Sequence, residues 1–233
     1  MISQPRVAVL IPCYNEEITV AQVVKQFAAE LPAAEIYVCD NNSTDRTAEK
    51  AKEAGAQLLF EPRRGKGYAV QTLFREAEAD IYVIVDGDET YPPAAVHELI
   101  KPVLNDEADM VVGSRLHAGS HSEFHALSLV GNKVLALLFK ILFRVPLTDI
   151  VTGYRAFNHK FVKGIQLVSG GFDTEIELSA KAVAKGYRIV EIPVDLKDRP
   201  EGSHSKANLL VQGPENILSM IMLFRSLATD DAD

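Results

Sequence analysis

Asp86 and Asp88 stand on either side of Gly87, directly after the apolar run Ile81-Tyr82-Val83-Ile84-Val85. The run is short and rich in β-branched and aromatic residues, which is the pattern of a buried strand. Two carboxylates at the end of such a strand are placed to hold a hard divalent cation. Such a cation takes one or two protein carboxylates and leaves its other positions to water and phosphate oxygens. In open α/β sheets the carboxyl ends of the strands are also where ligands bind. An acidic turn uses the same residue types, so the pair gains its meaning from its surroundings.

Further polar clusters occupy equivalent places. Pro12-Cys13-Tyr14-Asn15-Glu16-Glu17 follows a first apolar strand, and Asp40-Asn41-Asn42-Ser43-Thr44-Asp45 follows a second. Arg63-Arg64-Gly65-Lys66-Gly67 precedes a helix. There glycine permits close backbone approach, and Arg64 or Lys66 can pair with a phosphate. Each piece has a plain alternative, since Asp-Asn-Asn-Ser-Thr also makes a good helix N-cap. Their recurrence at successive strand ends points to one site. Farther along, Asp149, Asp173 and Glu175 are candidate bases for a reaction in which a hydroxyl attacks. The residues themselves do not choose among the three. Asp173-Thr174-Glu175 reads equally well as an acid-rich first helical turn.

The elements that must position these groups alternate. Strands are expected over 6–11, 35–39, 58–60, 81–85 and 109–112, with helices over 17–31, 44–54 and 68–79 and another opened by Pro92-Pro93 and running to Val103. This βαβα order predicts an α/β fold, a mostly parallel central sheet with helices on both faces. The second half predicts a helix over 127–145, a short strand over 154–157, a helix over 174–184, a strand over 188–194 and a last helix after Pro214. A single catalytic domain over 1–228 is expected, with a nucleotide-binding half at about 1–115, an acceptor half at about 116–228 and a disordered tail at 229–233.

Lys133, Lys140 and Arg144 fall on one face of the 127–145 helix by the 3.6-residue period. Its other residues are largely apolar, which suits either a membrane interface or a core helix with one polar stripe. No run reaches the ~20 apolar residues of a membrane span. The 233 residues carry 24 basic and 32 acidic side chains, a net charge of −8, which argues against nucleic-acid binding. The N-terminus lacks a signal-peptide pattern. Cys13 and Cys39 end two predicted strands and read as reduced thiols of a cytoplasmic protein.

Ile11-Pro12-Cys13-Tyr14-Asn15-Glu16-Glu17, Asp40-Asn41-Asn42-Ser43-Thr44-Asp45, Gly65-Lys66-Gly67, Asp86-Gly87-Asp88 and Gly113-Ser114-Arg115 together resemble the family-2 glycosyltransferases. Thr152-Gly153-Tyr154-Arg155-Ala156-Phe157 and Gly202-Ser203-His204-Ser205-Lys206 narrow the resemblance to polyprenyl-phosphate glycosyltransferases of the dolichol-phosphate mannose synthase type, over about residues 6 to 210. The resemblance implies the GT-A fold, a Rossmann-like nucleotide-sugar-binding architecture. It implies metal-dependent, inverting transfer from a nucleotide sugar of the GDP-mannose or UDP-glucose type to a dolichyl or undecaprenyl phosphate. Nucleotide contacts are implied at Pro12, Tyr14, Asn15, Glu16, Lys66 and Asp86, with Asp40 on the base. Asp86 and Asp88 would hold Mg²⁺ or Mn²⁺. Arg115 would meet the acceptor phosphate, and Arg199, Ser205 and Lys206 would sit on a closing loop. With the candidate bases read from the residues, the expected catalytic set is Asp88, Arg115, Asp149 and Glu175. A peripheral position on the cytoplasmic face of a membrane follows, with a membrane-protein partner or a second copy as possible company.

This chain departs from the family pattern at Glu89-Thr90, where many relatives have Gln, and at Ser128-Leu129-Val130, where many have Arg before the Gly-Asn pair. The competing readings are transfer to a sugar or protein hydroxyl and a sugar-nucleotide-binding module without turnover. A sugar-1-phosphate nucleotidyltransferase would open with a glycine-rich loop in place of Pro12-Cys13-Tyr14-Asn15.

Overall fold

A computed structural model describes residues 4–116, 126–204 and 209–230. Strands β1 (Val7–Cys13), β2 (Glu35–Asp40), β3 (Gln57–Phe60), β4 (Ile81–Ile84), β5 (Met110–Ser114), β6 (Arg155–Asn158) and β7 (Ile189–Pro193) form one seven-stranded sheet in the order β3-β2-β1-β4-β6-β5-β7. All neighbours pair in parallel except β6, which runs antiparallel to both β4 and β5. The chain thus leaves β1 toward β2 and β3 on one side and returns to β4 on the other. That reversal of strand order opens a crevice outside the carboxyl ends of β1 and β4, where α/β sheets bind ligands.

The helices are α1 (Val20–Glu30), α2 (Thr47–Glu53), α3 (Lys66–Glu76), α4 (Val96–Leu104), α5 (Ala126–Phe143), α6 (His159–Gly164), α7 (Thr174–Ala184) and α8 (Leu209–Asp230), with a single 3-10 turn at Pro93–Ala95. The continuous apolar run of β1 is explained by burial on both faces. Val9 and Ile11 pack with Val23 and Phe27 of α1 and Leu99 of α4. Ala8 and Leu10, one residue out of phase, pack with Val70, Leu73 and Phe74 of α3. A third cluster joins Leu135 and Phe139 of α5 to Ile150, to Ile176 and Ala180 of α7, and to Met220 of α8.

Several expectations are corrected. α3 begins at Lys66 rather than Tyr68, so the lysine belongs to the first helical turn. α6 has no counterpart in the sequence reading; it is capped by Asn158, whose Oδ1 accepts the Phe161 N–H at 2.8 Å. α8 starts before Pro214 and carries the proline inside it. A proline near a helix start forfeits one backbone bond, while Met220 in the third cluster anchors the helix beyond it. Thr229 and Asp230, placed in the expected disordered tail, are helical.

α5 also differs from a helix with one apolar and one basic face. Leu135 and Phe139 face the core, but Val130, Val134, Leu137 and Ile141 form a second apolar stripe that is 49–65% exposed. Lys133 and Lys140 are exposed beside it, and Arg144 lies past the last turn with φ +60°. No helix of the described residues is long and apolar enough to cross a membrane.

Candidate active site

Asp86 and Asp88 leave the carboxyl end of β4, and the Thr19 hydroxyl holds the turn between them by donating to the Gly87 carbonyl at 2.6 Å. Asp88 is 6% exposed. Its Oδ1 accepts the Thr90 N–H at 3.1 Å and the Thr90 hydroxyl at 2.7 Å, and its Oδ2 accepts from Arg199 Nη2. Asp86 Oδ1 lies 2.6 Å from Lys66 Nζ, which lies 2.6 Å from Glu175 Oε1 on its other side. Burial alone would push the Lys66 pKa down. The two carboxylates reverse that and hold it above the ordinary lysine value.

Two glycines make this arrangement possible. A Cβ on Gly153 would come 2.3 Å from Asp86 Oδ2, so only glycine leaves the carboxylate its room. The Tyr91 hydroxyl accepts the Gly153 N–H at 3.0 Å and bonds Thr152 Oγ1 at 3.1 Å, which fixes that glycine in place. At the start of α3, the Gly67 N–H donates to the carbonyls of Gly170 and Gly171 at 3.1 and 3.2 Å. A Cβ on Gly67 would lie 2.2 Å from the Ser169 carbonyl oxygen. The close approach expected of the Gly65-Lys66-Gly67 loop is therefore made by the protein's own backbone, and it aims Lys66 between Asp86 and Glu175.

The three candidate bases separate. Asp149 is fully buried and gives both oxygens to Arg115, Oδ2 to Nε at 2.6 Å and Oδ1 to Nη2 at 2.9 Å, and Oδ2 also accepts the Arg115 N–H at 3.1 Å. Burial would lower the Arg115 pKa, and Asp149 holds it above the usual arginine value. The structure ties this guanidinium to Asp149 at the wall of the site. Asp173 accepts the Ser169 hydroxyl and closes the loop before α7. Glu175 is 4% exposed, so its place in the first turn of α7 faces the site rather than water.

On the nucleotide side, Asn15 Oδ1 accepts the Thr44 N–H at 2.8 Å, and the Asn15 N–H donates to Ser43 Oγ at 3.0 Å. The Glu16 N–H donates to Thr47 Oγ1 at 2.7 Å. These bonds tie the β1 loop to the β2 loop. Pro12 is buried within β1, Asp40 is 5% exposed and accepts the Ser43 N–H at 3.3 Å, and the Arg64 guanidinium lies 5.0 Å from the Tyr14 ring centroid, a cation–π contact. Arg199 reaches the site, whereas Ser205 and Lys206 lie outside the described residues.

Sequence reasoning missed the role of Arg155. It is 1% exposed and ranks among the largest fully buried side chains. Nε donates to the Thr152 carbonyl at 3.0 Å, Nη2 to the Ile150 carbonyl at 2.7 Å and Nη1 to Ser179 Oγ at 2.8 Å. Burial pushes its pKa below the ordinary value. It pins the turn that presents Asp149 to Arg115 and Gly153 to Asp86. Nothing in a Tyr-Arg-Ala-Phe string announces a buried arginine, although an arginine inside an apolar strand pattern is the available hint.

The described residues contain no group of three or more His, Cys, Asp or Glu able to enclose a metal ion. Asp86 and Asp88 still suit Mg²⁺ or Mn²⁺, because such ions keep several positions for water and phosphate. Both carboxylates already meet a side-chain cation, Lys66 on Asp86 and Arg199 on Asp88, so this strand end accepts positive charge.

Residues 8–165 match the family described as Glycosyl transferase family 2. Protein RfbJ of Shigella flexneri is 45% identical over 118 residues, covering 51% of this chain and 92% of its own length. A dolichyl-phosphate hexose transferase of Haloferax volcanii is 28% identical over 192 residues, covering 82% and 83%. Among solved structures, the glucosyl-3-phosphoglycerate synthase of Mycobacterium tuberculosis with Mn²⁺, uridine diphosphate and glucosyl-3-phosphoglycerate superposes with a TM-score of 0.77 at 19% identity, over 96% of this chain and 80% of that one. The likeness in shape supports the GT-A fold. The family match runs from β1 to the end of α6 and so takes in both β1 and β4, the strands that frame the crevice; this chain belongs to glycosyl transferase family 2 and is a glycosyltransferase.

Proposed function

We propose that this enzyme transfers a hexose from a nucleotide sugar to the phosphate of a polyprenyl phosphate, with a divalent cation at Asp86 and Asp88. One observation supports the choice of acceptor: two of the three candidate bases have a cation on them, and the third, Asp173, is held by the Ser169 hydroxyl. Asp149 is closed by Arg115 and Glu175 by Lys66. A hydroxyl acceptor needs a base within hydrogen-bond reach, whereas a phosphate is already anionic and needs orientation instead. The dolichyl-phosphate hexose transferase among the relatives supports the same reading.

A bound cation would neutralise charge on the departing nucleoside diphosphate. Mn²⁺ in the solved neighbour supports that assignment. Lys66 and Arg199 supply further positive charge at the same strand end. Asp40 would accept hydrogen bonds from base N–H groups. The acceptor phosphate oxygen forms the new bond to the anomeric carbon as the bond from that carbon to the diphosphate oxygen breaks. The exposed stripe of α5 with Lys133 and Lys140 gives the protein a face for an anionic bilayer surface, worth about 1 kcal/mol per cation near the surface, and suits a peripheral position on the cytoplasmic side.

The test is transfer from GDP-mannose and from UDP-glucose, with Mn²⁺, to undecaprenyl phosphate in vesicles. Product that disappears with chelator is the expected result. Transfer to 3-phosphoglycerate with none to the lipid phosphate overturns the acceptor assignment. Asp40→Ala should weaken nucleoside diphosphate binding about tenfold, the value of roughly one charged hydrogen bond, and calorimetry that finds unchanged affinity refutes the role of Asp40.

A further inference from the structure

We infer that Arg199 is an internal rival of the divalent cation. Its guanidinium holds the Asp88 oxygen that a cation needs, so cation binding releases the strap that carries Arg199. The inference rests on the cation assignment above and adds the residue that sets the affinity of that site.

The two oxygens of Asp88 are used differently. Oδ1 accepts the Thr90 N–H at 3.1 Å and the Thr90 hydroxyl at 2.7 Å, so it is committed to the turn that follows β4. Oδ2 accepts from Arg199 Nη2. The Asp88 side chain is 8% exposed and that of Arg199 29%. A cation that binds Asp88 through Oδ2 must therefore take the place of the guanidinium, because two positive charges on one oxygen repel each other.

Asp86 is held in another way. Lys66 lies 2.6 Å from it, but also 2.6 Å from Glu175, and belongs to the first turn of α3. Arg199 stands in residues 194–204, a stretch between β7 and α8 with no helix or strand. This strap crosses the carboxyl end of β4. The Lys197 N–H donates to the Thr90 carbonyl at 2.8 Å, and Arg199 Nη1 donates to the His204 carbonyl at 3.5 Å. At Gly202, φ +84°, an added Cβ would lie 3.3 Å from Ile18 Cδ1, in the loop before α1. One guanidinium thus joins the far part of the strap to Asp88. A stretch outside helix and strand opens more readily than a helical turn packed on the sheet. Arg199–Asp88 is accordingly the ion pair that yields first. Linkage makes the effect reciprocal: what frees the strap from Asp88 raises cation affinity by the factor with which the cation frees the strap.

The test is Mn²⁺ binding by calorimetry in the wild-type chain, Arg199→Ala and Lys197→Ala. Without nucleotide, Arg199→Ala should bind Mn²⁺ about tenfold more tightly than the wild type, the scale of one hydrogen bond to a charged group. Lys197→Ala removes an exposed cation from the same strap and should stay within about twofold, as expected of a solvated charge. Amide hydrogen exchange gives a second readout. The amides of 197–203 should exchange faster when Mn²⁺ is added to the wild type, and Asp88→Asn should show the faster exchange with no Mn²⁺ present. Equal Mn²⁺ affinity in the wild type and Arg199→Ala overturns the inference and leaves the cation site standing. Equal gains in Arg199→Ala and Lys197→Ala also overturn it, since net charge and not the contact would then be responsible. If none of these proteins binds Mn²⁺, with or without uridine or guanosine diphosphate, the cation site falls together with the inference. Should Arg199→Ala misfold, as read by thermal melting, Arg199→Gln is the second variant, with the same gain expected.

Discussion

Both edges of the sheet carry clusters of acids and cations, and they are built on opposite principles. At the amino edge, Asp109 Oδ2 accepts the Arg188 N–H at 2.8 Å, while its Oδ1 accepts Asn158 Nδ2 at 2.8 Å and Arg188 Nη2 at 3.1 Å. Asp80 there accepts the Arg6 N–H at 2.8 Å. The cations of these pairs stay wet, with Arg188 side-chain exposure at 47% and Arg6 at 64%. At the carboxyl edge, Lys66 and Arg115 are each 14% exposed and sit against buried acids. Taking both ions out of water costs several kcal/mol per ion, which mutual attraction does not reliably return. An edge that keeps its cations in solvent ties strand starts together cheaply. An edge that buries them holds charge ready for a ligand, and the difference lies in where the cation sits rather than in which residue types are used.

The largest break in this comparison is expected at Asp88. Asp88→Ala should lower transfer by about a thousandfold, the scale of losing a key electrostatic contact in a transition state. Thermal melting should fall as well, because the substitution takes their acceptor from Thr90 and Arg199. Retained turnover would remove Asp88 from the chemistry.

Lys66→Met comes next. It leaves Asp86 and Glu175 facing each other without their shared ammonium. A loss of about 3 kcal/mol in denaturant unfolding is expected, the low end for breaking a buried pair, and Glu175→Gln in the same chain should restore part of it. A Lys66→Met protein as stable as the wild type would mean that the lysine balances nothing.

Arg115→Lys gives up the two parallel bonds to Asp149. It should lower stability by about 1–2 kcal/mol and slow transfer without altering nucleotide affinity. An increase in the Michaelis constant for the lipid phosphate with unchanged stability would return Arg115 to the role of acceptor clamp.

The smallest effect is expected at the amino edge. Hydrogen bonds from Arg188 lower the Asp109 pKa to about 2. A depressed folded pKa adds stability that is present above the unfolded value of ~4 and lost as pH falls through the folded value. Asp109→Asn should therefore destabilise by about 1 kcal/mol at pH 7, discounted for the half-exposed arginine. The gap to the wild type should close between about pH 4 and pH 2, with transfer activity intact. A gap that persists at pH 2 would assign the loss to packing.

The sequence by itself determined β1 and β4, the Asp86–Asp88 pair at a strand end, the α/β alternation and α7 over Thr174–Ala184, because these rest on local periodicity and local turn chemistry. It also brought Asp40, Lys66 and Arg199 into one candidate set, through their place at strand ends or in the resemblance. It did not determine that β6 runs antiparallel, since an alternating run has no direction until it finds neighbours. It did not reveal the burial of Arg155, or that Gly67 makes room for the backbone of 169–171. Above all, it did not say which cation meets which acid. Arg199 meets Asp88 across 111 residues, and Arg115 meets Asp149 across 34. Such pairings were decided only when helices and loops packed onto the sheet, because a buried charge selects its partner by position in space, and spacing along the chain does not encode that position.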